Sequence, residues 1–291
     1  MTDASLKAGT PRWDRESPGY TIFFATVVCV VCALLVAVAA VSLQPTQEAK
    51  ARQYAQKNVL LAAGLVSPQP DAQPRQSELQ RLFDERIDTR LVDLAAGQLL
   101  PRDKLDPRTY DQRKARNDPA QSRPAPENRA GIARVPNYAV LYLVRAKDRR
   151  DEVEQMVLAV EGLGMWGTIY GFVALDRDAI TVRGLTYYDQ KEQPGQGGEI
   201  GNPNWQALWR GRKMYDDQWN ARITVIKGSA GPADSDPLRV DGLSGATVTS
   251  NAITQLMRFW MTDSGYGRFL RNYRDGKVRL DAAAPNEGGR G

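Results

Sequence analysis

Between Tyr20 and Leu43 the chain runs for 24 residues without a formal charge. A helix that crosses a bilayer needs about 20 such residues, because its backbone polar groups must be satisfied within the segment. Ala37-Val38-Ala39 resembles a signal-peptide cleavage site. The apolar core of a signal peptide is about 7–15 residues, however, and this one is longer. The expectation is an uncleaved transmembrane helix over 20–43, with a tail at 1–19 and a soluble domain over 44–291. Flanking charge leaves its orientation open, since Lys7, Arg12 and Arg15 precede it and Lys50, Arg52 and Lys57 follow. Cys29 and Cys32 read as small packing residues on one helix face. The span holds no Asp, Glu, Lys or Arg. An ion path usually needs such groups, so this helix alone is not expected to conduct ions.

The residue types after the span exclude much chemistry. There is no histidine in the chain, and both cysteines lie within the apolar span. Ser-His-Asp and Cys-His catalysis, disulfide frameworks and iron–sulfur ligation are therefore absent from the soluble part. No metal site is expected. Redox chemistry here would require an organic cofactor.

The order of elements points to an α+β fold with an antiparallel-rich sheet. Residues 47–65 continue as a helix that Gly64 and Pro68 would end. Residues 77–87 form a second helix, with Leu79, Leu82 and Phe83 on one stripe and Ser77 as its cap. Residues 88–100 read as strand, turn at Gly97, strand. The segment 101–134 holds nine basic and five acidic residues and is broken by prolines. Without an aromatic platform it reads as a solvated, poorly ordered excursion rather than a nucleic-acid footprint. Strands follow at 138–144, 153–160, 168–175, 180–188 and 223–226, with a loop-helix region at 195–215. Apolar residues at 248, 252, 253, 256, 257, 259 and 260 have helical spacing. No internal repeat is visible.

Three stretches are candidates for chemistry. Gly162-Leu163-Gly164-Met165-Trp166-Gly167 matches G-x-G-x-x-G, but a strand-like run follows instead of a helix, and Asp176 comes too early for a dinucleotide fingerprint. A hairpin turn presenting Trp166 fits better, with Trp166 either in the core or forming an aromatic wall. The run 192–199 is glycine-rich and would let backbone approach a ligand, or is simply a surface loop. In Asp241–Ser250, DGLSGATVTS, a helix cap from Ser244 or Thr247 accounts for one hydroxyl. It does not account for Asp241 together with Gly242, Gly245 and Ala246. A helix N-terminus favours an anion, so a phosphate on Thr247 would sit where its N–H groups point.

The pattern D-G-x-S-G-A-T resembles the acceptor motif at which a magnesium-dependent flavin transferase attaches FMN, taken from FAD, through a phosphodiester. Beyond that motif, KNVLLAAGL, TRLVDLAAG, YDQRKA, GMWGTIYGFVALD, GLTYYDQKEQPGQGGEIGNPNW and VDGLSGATVTSN fall in one order. Over most of residues 20–275 the chain is similar to the C subunits of the Na⁺-translocating NADH:quinone oxidoreductases. The G subunits of the Rnf complexes share the anchor and the acceptor motif. The resemblance departs at one loop, which usually reads E-T-P-G-L-G and here has Gln193 and Gln196. If the usual leucine covers the flavin, Gln196 makes the pocket more polar.

The resemblance implies a flavoprotein with one covalent FMN on Thr247, and an FMN-binding part over about 135–275. It implies that Asp241, Ser244, Gly245 and Ala246 form the recognition set of the transferase. Trp166, Thr186, Tyr187 and the loop holding Glu192, Gly195 and Gly197 would line the flavin. Lys227 would place a positive charge near it, or is a solvated lysine. The implied role is one-electron relay within a six-subunit inner-membrane translocase of bacteria that oxidises NADH, reduces ubiquinone and exports sodium. It places the tail in the cytoplasm and the soluble domain in the periplasm, with no nucleic-acid partner. An Rnf-type electron-transport protein and a non-redox anchored scaffold are the alternatives.

Overall fold

The structure is a computed structural model that describes residues 18–69, 74–149 and 151–280. The expected tail therefore lies almost entirely outside the described residues. The chain divides into two units between Gln53 and Tyr54, within the 45-residue helix α1 (Pro18–Ala62). In the first unit, Pro18–Gln44 has a mean hydropathy of 3.0 and is long and apolar enough to cross a membrane. Cys29 and Cys32 are exposed on it.

The second unit opens with the last turns of α1 and α2 (Gln76–Arg86). The N-cap of α2 is Arg75, not Ser77: Glu78 reaches back, and its Oε2 accepts the Arg75 N–H at 3.0 Å. Then come β1 (Ile87–Asp93), β2 (Gln98–Leu99), α3 (Gln112–Asn117), β3 (Ser122–Pro124) and β4 (Arg134–Pro136). The long strands β5 (Tyr138–Arg145), β6 (Val153–Leu163), β7 (Thr168–Asp176) and β8 (Val182–Asp189) follow. Last come α4 (Pro203–Ala207), β9 (Thr224–Val225), β10 (Arg239–Val240), α5 (Thr247–Trp260) and α6 (Gly267–Arg274).

Six strands form one sheet in the order β2-β1-β5-β6-β7-β8, and every neighbouring pair is antiparallel. This is the expected α+β class. Two small pairs stand apart, β3 with β4 and the parallel β9 with β10.

The sheet is buried on both faces, and strand alternation decides which residue goes where. Tyr142, Val144, Phe172 and Ala174 face one way and pack with Val59, Leu60 and Ala62 of α1 and Leu79 and Phe83 of α2. Their neighbours Leu141, Leu143, Val173 and Leu175 face the other way, toward Ile253, Leu256, Met257 and Trp260 of α5. The helical spacing of those four residues is why α5 lies flat on the sheet. Two hydrogen bonds fix the layer: Trp260 Nε1 donates to the Glu161 carbonyl at 2.7 Å, and the Tyr266 hydroxyl to the Val140 carbonyl at 2.9 Å.

Residues 101–134 differ from expectation. They carry α3, β3 and β4, and Ala130 and Ile132 reach the main core. The physical reason is that their charges find partners far along the chain. Locally, Asp111 caps α3 through the Arg113 and Lys114 N–H groups. Arg113 pairs with Asp189 at 2.7 Å and lies 3.4 Å from the centre of the Tyr170 ring. Arg116 pairs with Glu161 at 2.9 Å.

Candidate functional site

The segment 241–246 is a tight loop laid over the start of α5. Its Gly242 N–H donates to the Gly228 carbonyl at 2.8 Å, and its Leu243 N–H to Ser250 Oγ at 3.3 Å. Gly245 turns the chain with φ of 73°, a conformation that side chains with a Cβ rarely adopt. A Cβ there would stand 3.3 Å from the Gly195 carbonyl, so the 192–198 loop lies directly beside the start of α5.

The three hydroxyls that open α5 have different fates. Ser250 holds the loop, and Thr249 is fully buried. Thr247, the first helical residue, is exposed. The helix N-cap is Ala246, which supplies no side-chain acceptor, and neither Ser244 nor Thr247 caps the helix as the simpler sequence reading expected. Among the described residues, a 14-residue helix thus presents its first-turn N–H groups without a side-chain cap, beside the exposed Thr247. Ser244 is exposed in the same loop. These features fit a phosphoryl group on Thr247: the donors, the dipole and the open approach are all present.

Asp241 acts from beneath. Its carboxylate accepts the Ala230 N–H at 2.8 Å and the Ser229 hydroxyl at 3.0 Å, and its carbonyl accepts Trp205 Nε1 at 3.0 Å. It therefore fixes the loop that carries Lys227, whose side chain is exposed.

The hairpin joining β6 and β7 closes through the Gly164 N–H on the Gly167 carbonyl at 2.7 Å. The hairpin reading of the G-x-G-x-x-G stretch therefore holds. Trp166 at its tip is 48% exposed, which removes the core alternative; Met165 is exposed to the same extent. Glu192 is buried, and one of its carboxylate oxygens accepts the Trp166 N–H at 3.0 Å. The other accepts the Thr249 hydroxyl.

Two predicted lining residues part company here. Tyr187 belongs to the α5 side of the sheet, with its ring 6.4 Å from that of Trp205. Burial pushes its phenol well above the usual tyrosine range, and its hydroxyl is buried without a hydrogen-bond partner among the described residues. Thr186 faces the opposite side, where its hydroxyl donates to the Asn58 carbonyl of α1 at 3.3 Å. The structure thus brings together Thr247, Ser244, Gly245, Ala246, Gly195, Gly197, Glu192 and Trp166. It sets Asp241, Tyr187 and Lys227 around them and Thr186 behind the sheet. Sequence reasoning missed Thr249, Ser250 and Trp205. The clustered hydroxyls of TVTS were the signal for the first two, and Trp205 closes the GNPNW end of one of the family-like runs.

Residues 164–262 match the FMN-binding domain family, a range that runs from the Trp166 hairpin to the end of α5. The C subunit of the Na(+)-translocating NADH-quinone reductase of Yersinia pestis is 41% identical over 94% of this chain and 99% of its own length. The Pseudomonas aeruginosa protein of the same name is 41% identical over 91% of this chain and 99% of its own. The chain belongs to this family of C subunits. The crystal structure of Shewanella oneidensis NqrC agrees, with a TM-score of 0.69 and 28% identity over 78% of this chain and 99% of that one. The structure of the corresponding Parabacteroides distasonis protein shares the fold at a TM-score of 0.55 and 22% identity, over 78% of this chain and 96% of that one.

Proposed function

We propose that this chain carries electrons through one FMN attached by a phosphodiester to Thr247, as the C subunit of a Na⁺-translocating NADH:ubiquinone reductase. The observation that carries the reading is the exposed Thr247 on the side-chain-uncapped first turn of α5, inside the FMN-binding match. The membership of the chain in the C-subunit family supports the wider role.

In the attachment step Thr247 Oγ1 forms a bond to the FMN phosphorus of FAD. The anhydride bond to the AMP half breaks, AMP leaves, and the hydroxyl proton passes to solvent. A flavin transferase catalyses the step, and the small residues Gly245 and Ala246 and the exposed Ser244 give it room. The first-turn N–H groups of α5 would hold the phosphate oxygens, and the helix dipole would favour their charge. When bound, FMN supplies the one-electron chemistry. Trp166 offers an exposed aromatic face to the flavin, and Lys227 an exposed positive charge.

The chain exchanges electrons with its neighbours in a complex of six subunits, which couples ubiquinone reduction to sodium export. Its apolar helix is the anchor in the bacterial inner membrane, with the tail cytoplasmic and the soluble domain periplasmic. The length and hydropathy of Pro18–Gln44 support the anchor.

Trypsin cleavage after Arg239 and Arg258 releases one peptide carrying Ser244, Thr247, Thr249 and Ser250. Tandem mass spectrometry of protein matured with the transferase is expected to place one FMN on Thr247. FMN on another hydroxyl, or an unmodified peptide, overturns the attachment.

A further inference from the structure

We propose that Glu192 is a positioning residue whose buried carboxylate ties the Trp166 hairpin to the first turn of α5 and so holds the indole against the flavin. The proposal rests on FMN being attached to Thr247, as argued above.

Both oxygens of this carboxylate are committed. Oε1 accepts the Trp166 backbone N–H at 3.0 Å, and Oε2 accepts the Thr249 hydroxyl. The two donors come from elements far apart in sequence, the β6–β7 turn and α5, and Glu192 is itself on a third segment. Thr249 is two residues beyond Thr247, so one side chain spans from the tip of the hairpin to the attachment turn. Trp166 and Met165 are each about half exposed, so little packing holds the tip in place. A carboxylate accepting a hydrogen bond at each oxygen is a stronger tether than a neutral acceptor would be.

The surroundings are shaped for this carboxylate. A Cβ on Gly164 would come within 2.5 Å of Glu192 Oε1, so any side chain there would push it off the Trp166 N–H. A Cβ on Gly197 would collide with the Thr249 hydroxyl, and Gly197 also has φ of 126°. The Gln196 carbonyl accepts the Thr249 hydroxyl as well, at 3.2 Å. Two glycines therefore clear the path of a single carboxylate and its partner. A residue that merely lined a ligand would face the ligand; Glu192 is buried and turned to the protein on both sides.

The test uses the full-length chain, matured with a flavin transferase and purified in detergent. An indole in contact with an isoalloxazine ring quenches its fluorescence, so native emission reports where Trp166 sits. Emission after SDS denaturation reports how much FMN is attached. Trp166→Phe is expected to raise native emission several-fold. Glu192→Ala is expected to approach that value, with emission after denaturation equal to wild type. The isosteric Glu192→Gln and Thr249→Val, which keep the shape of the site, are expected to fall between. Combining Glu192→Ala with Trp166→Phe should add nothing to Trp166→Phe alone.

Native emission unchanged in all three tether variants, with FMN attached, overturns the positioning role. Unchanged emission in Trp166→Phe overturns it too, because the indole is then not at the flavin. A wild-type band that is dark after denaturation overturns the flavin reading itself, and the proposal with it.

Discussion

Arg116 Nη1 lies 2.9 Å from Glu161 Oε2, in an ion pair whose carboxylate side chain is only 5% exposed. The pair joins α3 to the centre of the sheet, because Glu161 sits on β6 and Arg116 on the segment that composition marks as an excursion. Burial pushes the Glu161 carboxyl above the usual carboxylate range, and Arg116 offsets only part of that rise. A carboxyl that binds its proton more tightly folded than unfolded contributes less to stability as pH rises. The loss begins at the ordinary carboxylate pKa and is complete above the folded one. Arg116→Ala removes the opposing charge and extends that loss to higher pH. The expected cost at neutral pH is about 3 kcal/mol, the typical penalty for orphaning one member of a buried pair. Urea unfolding across pH should show part of this loss recovered on acidification. A deficit independent of pH would contradict the assignment.

Gly162 permits β6 to pass beneath α5. A Cβ there would stand 2.5 Å from Leu256 Cβ, a buried atom with no freedom to retreat. Gly162→Ala is expected to destabilise the domain by about 1–3 kcal/mol through overpacking. Denaturant unfolding measures it, and a stability equal to wild type would contradict the contact.

The Asp241 carboxylate makes its contacts to the neighbouring loop, with the Ser229 hydroxyl and the Ala230 N–H. Asp241→Asn keeps an acceptor for that N–H and is expected to load FMN nearly as wild type does. Asp241→Ala strands a partly buried donor, at a cost of about 1–3 kcal/mol, and is expected to load poorly. Denatured flavin emission per chain gives the comparison. Equal loss in both variants would assign the carboxylate to the transferase rather than to the loop.

Much of the sheet is legible in the sequence because its strands obey period two and its helices period 3.6. Leu141 and Leu143 alternate with Tyr142 and Val144, and Ile253, Leu256, Met257 and Trp260 mark one helical face. The segment around Arg113 and Arg116 is not legible in that way. Its order depends on Asp189, Tyr170 and Glu161, and no local pattern announces an ion pair across the fold. The site divides similarly. Thr247, the proposed attachment point, stands out through a local motif. Thr186 and Tyr187 are neighbours that point to opposite faces, and only the pairing of Phe172 with Thr186 and Gly171 with Tyr187 reveals which faces which. The Glu192 contacts to Trp166 and Thr249 join three distant segments, so neither could be inferred from spacing.

The central claim is a covalent flavin on one hydroxyl, and in-gel fluorescence tests it most directly. The full chain is expressed with a flavin transferase, denatured in SDS and viewed under ultraviolet light beside Thr247→Ala. The account predicts a fluorescent wild-type band and a dark Thr247→Ala band at equal protein. A dark wild-type band, with the transferase active on another substrate, would contradict it, as would a Thr247→Ala band as bright as wild type.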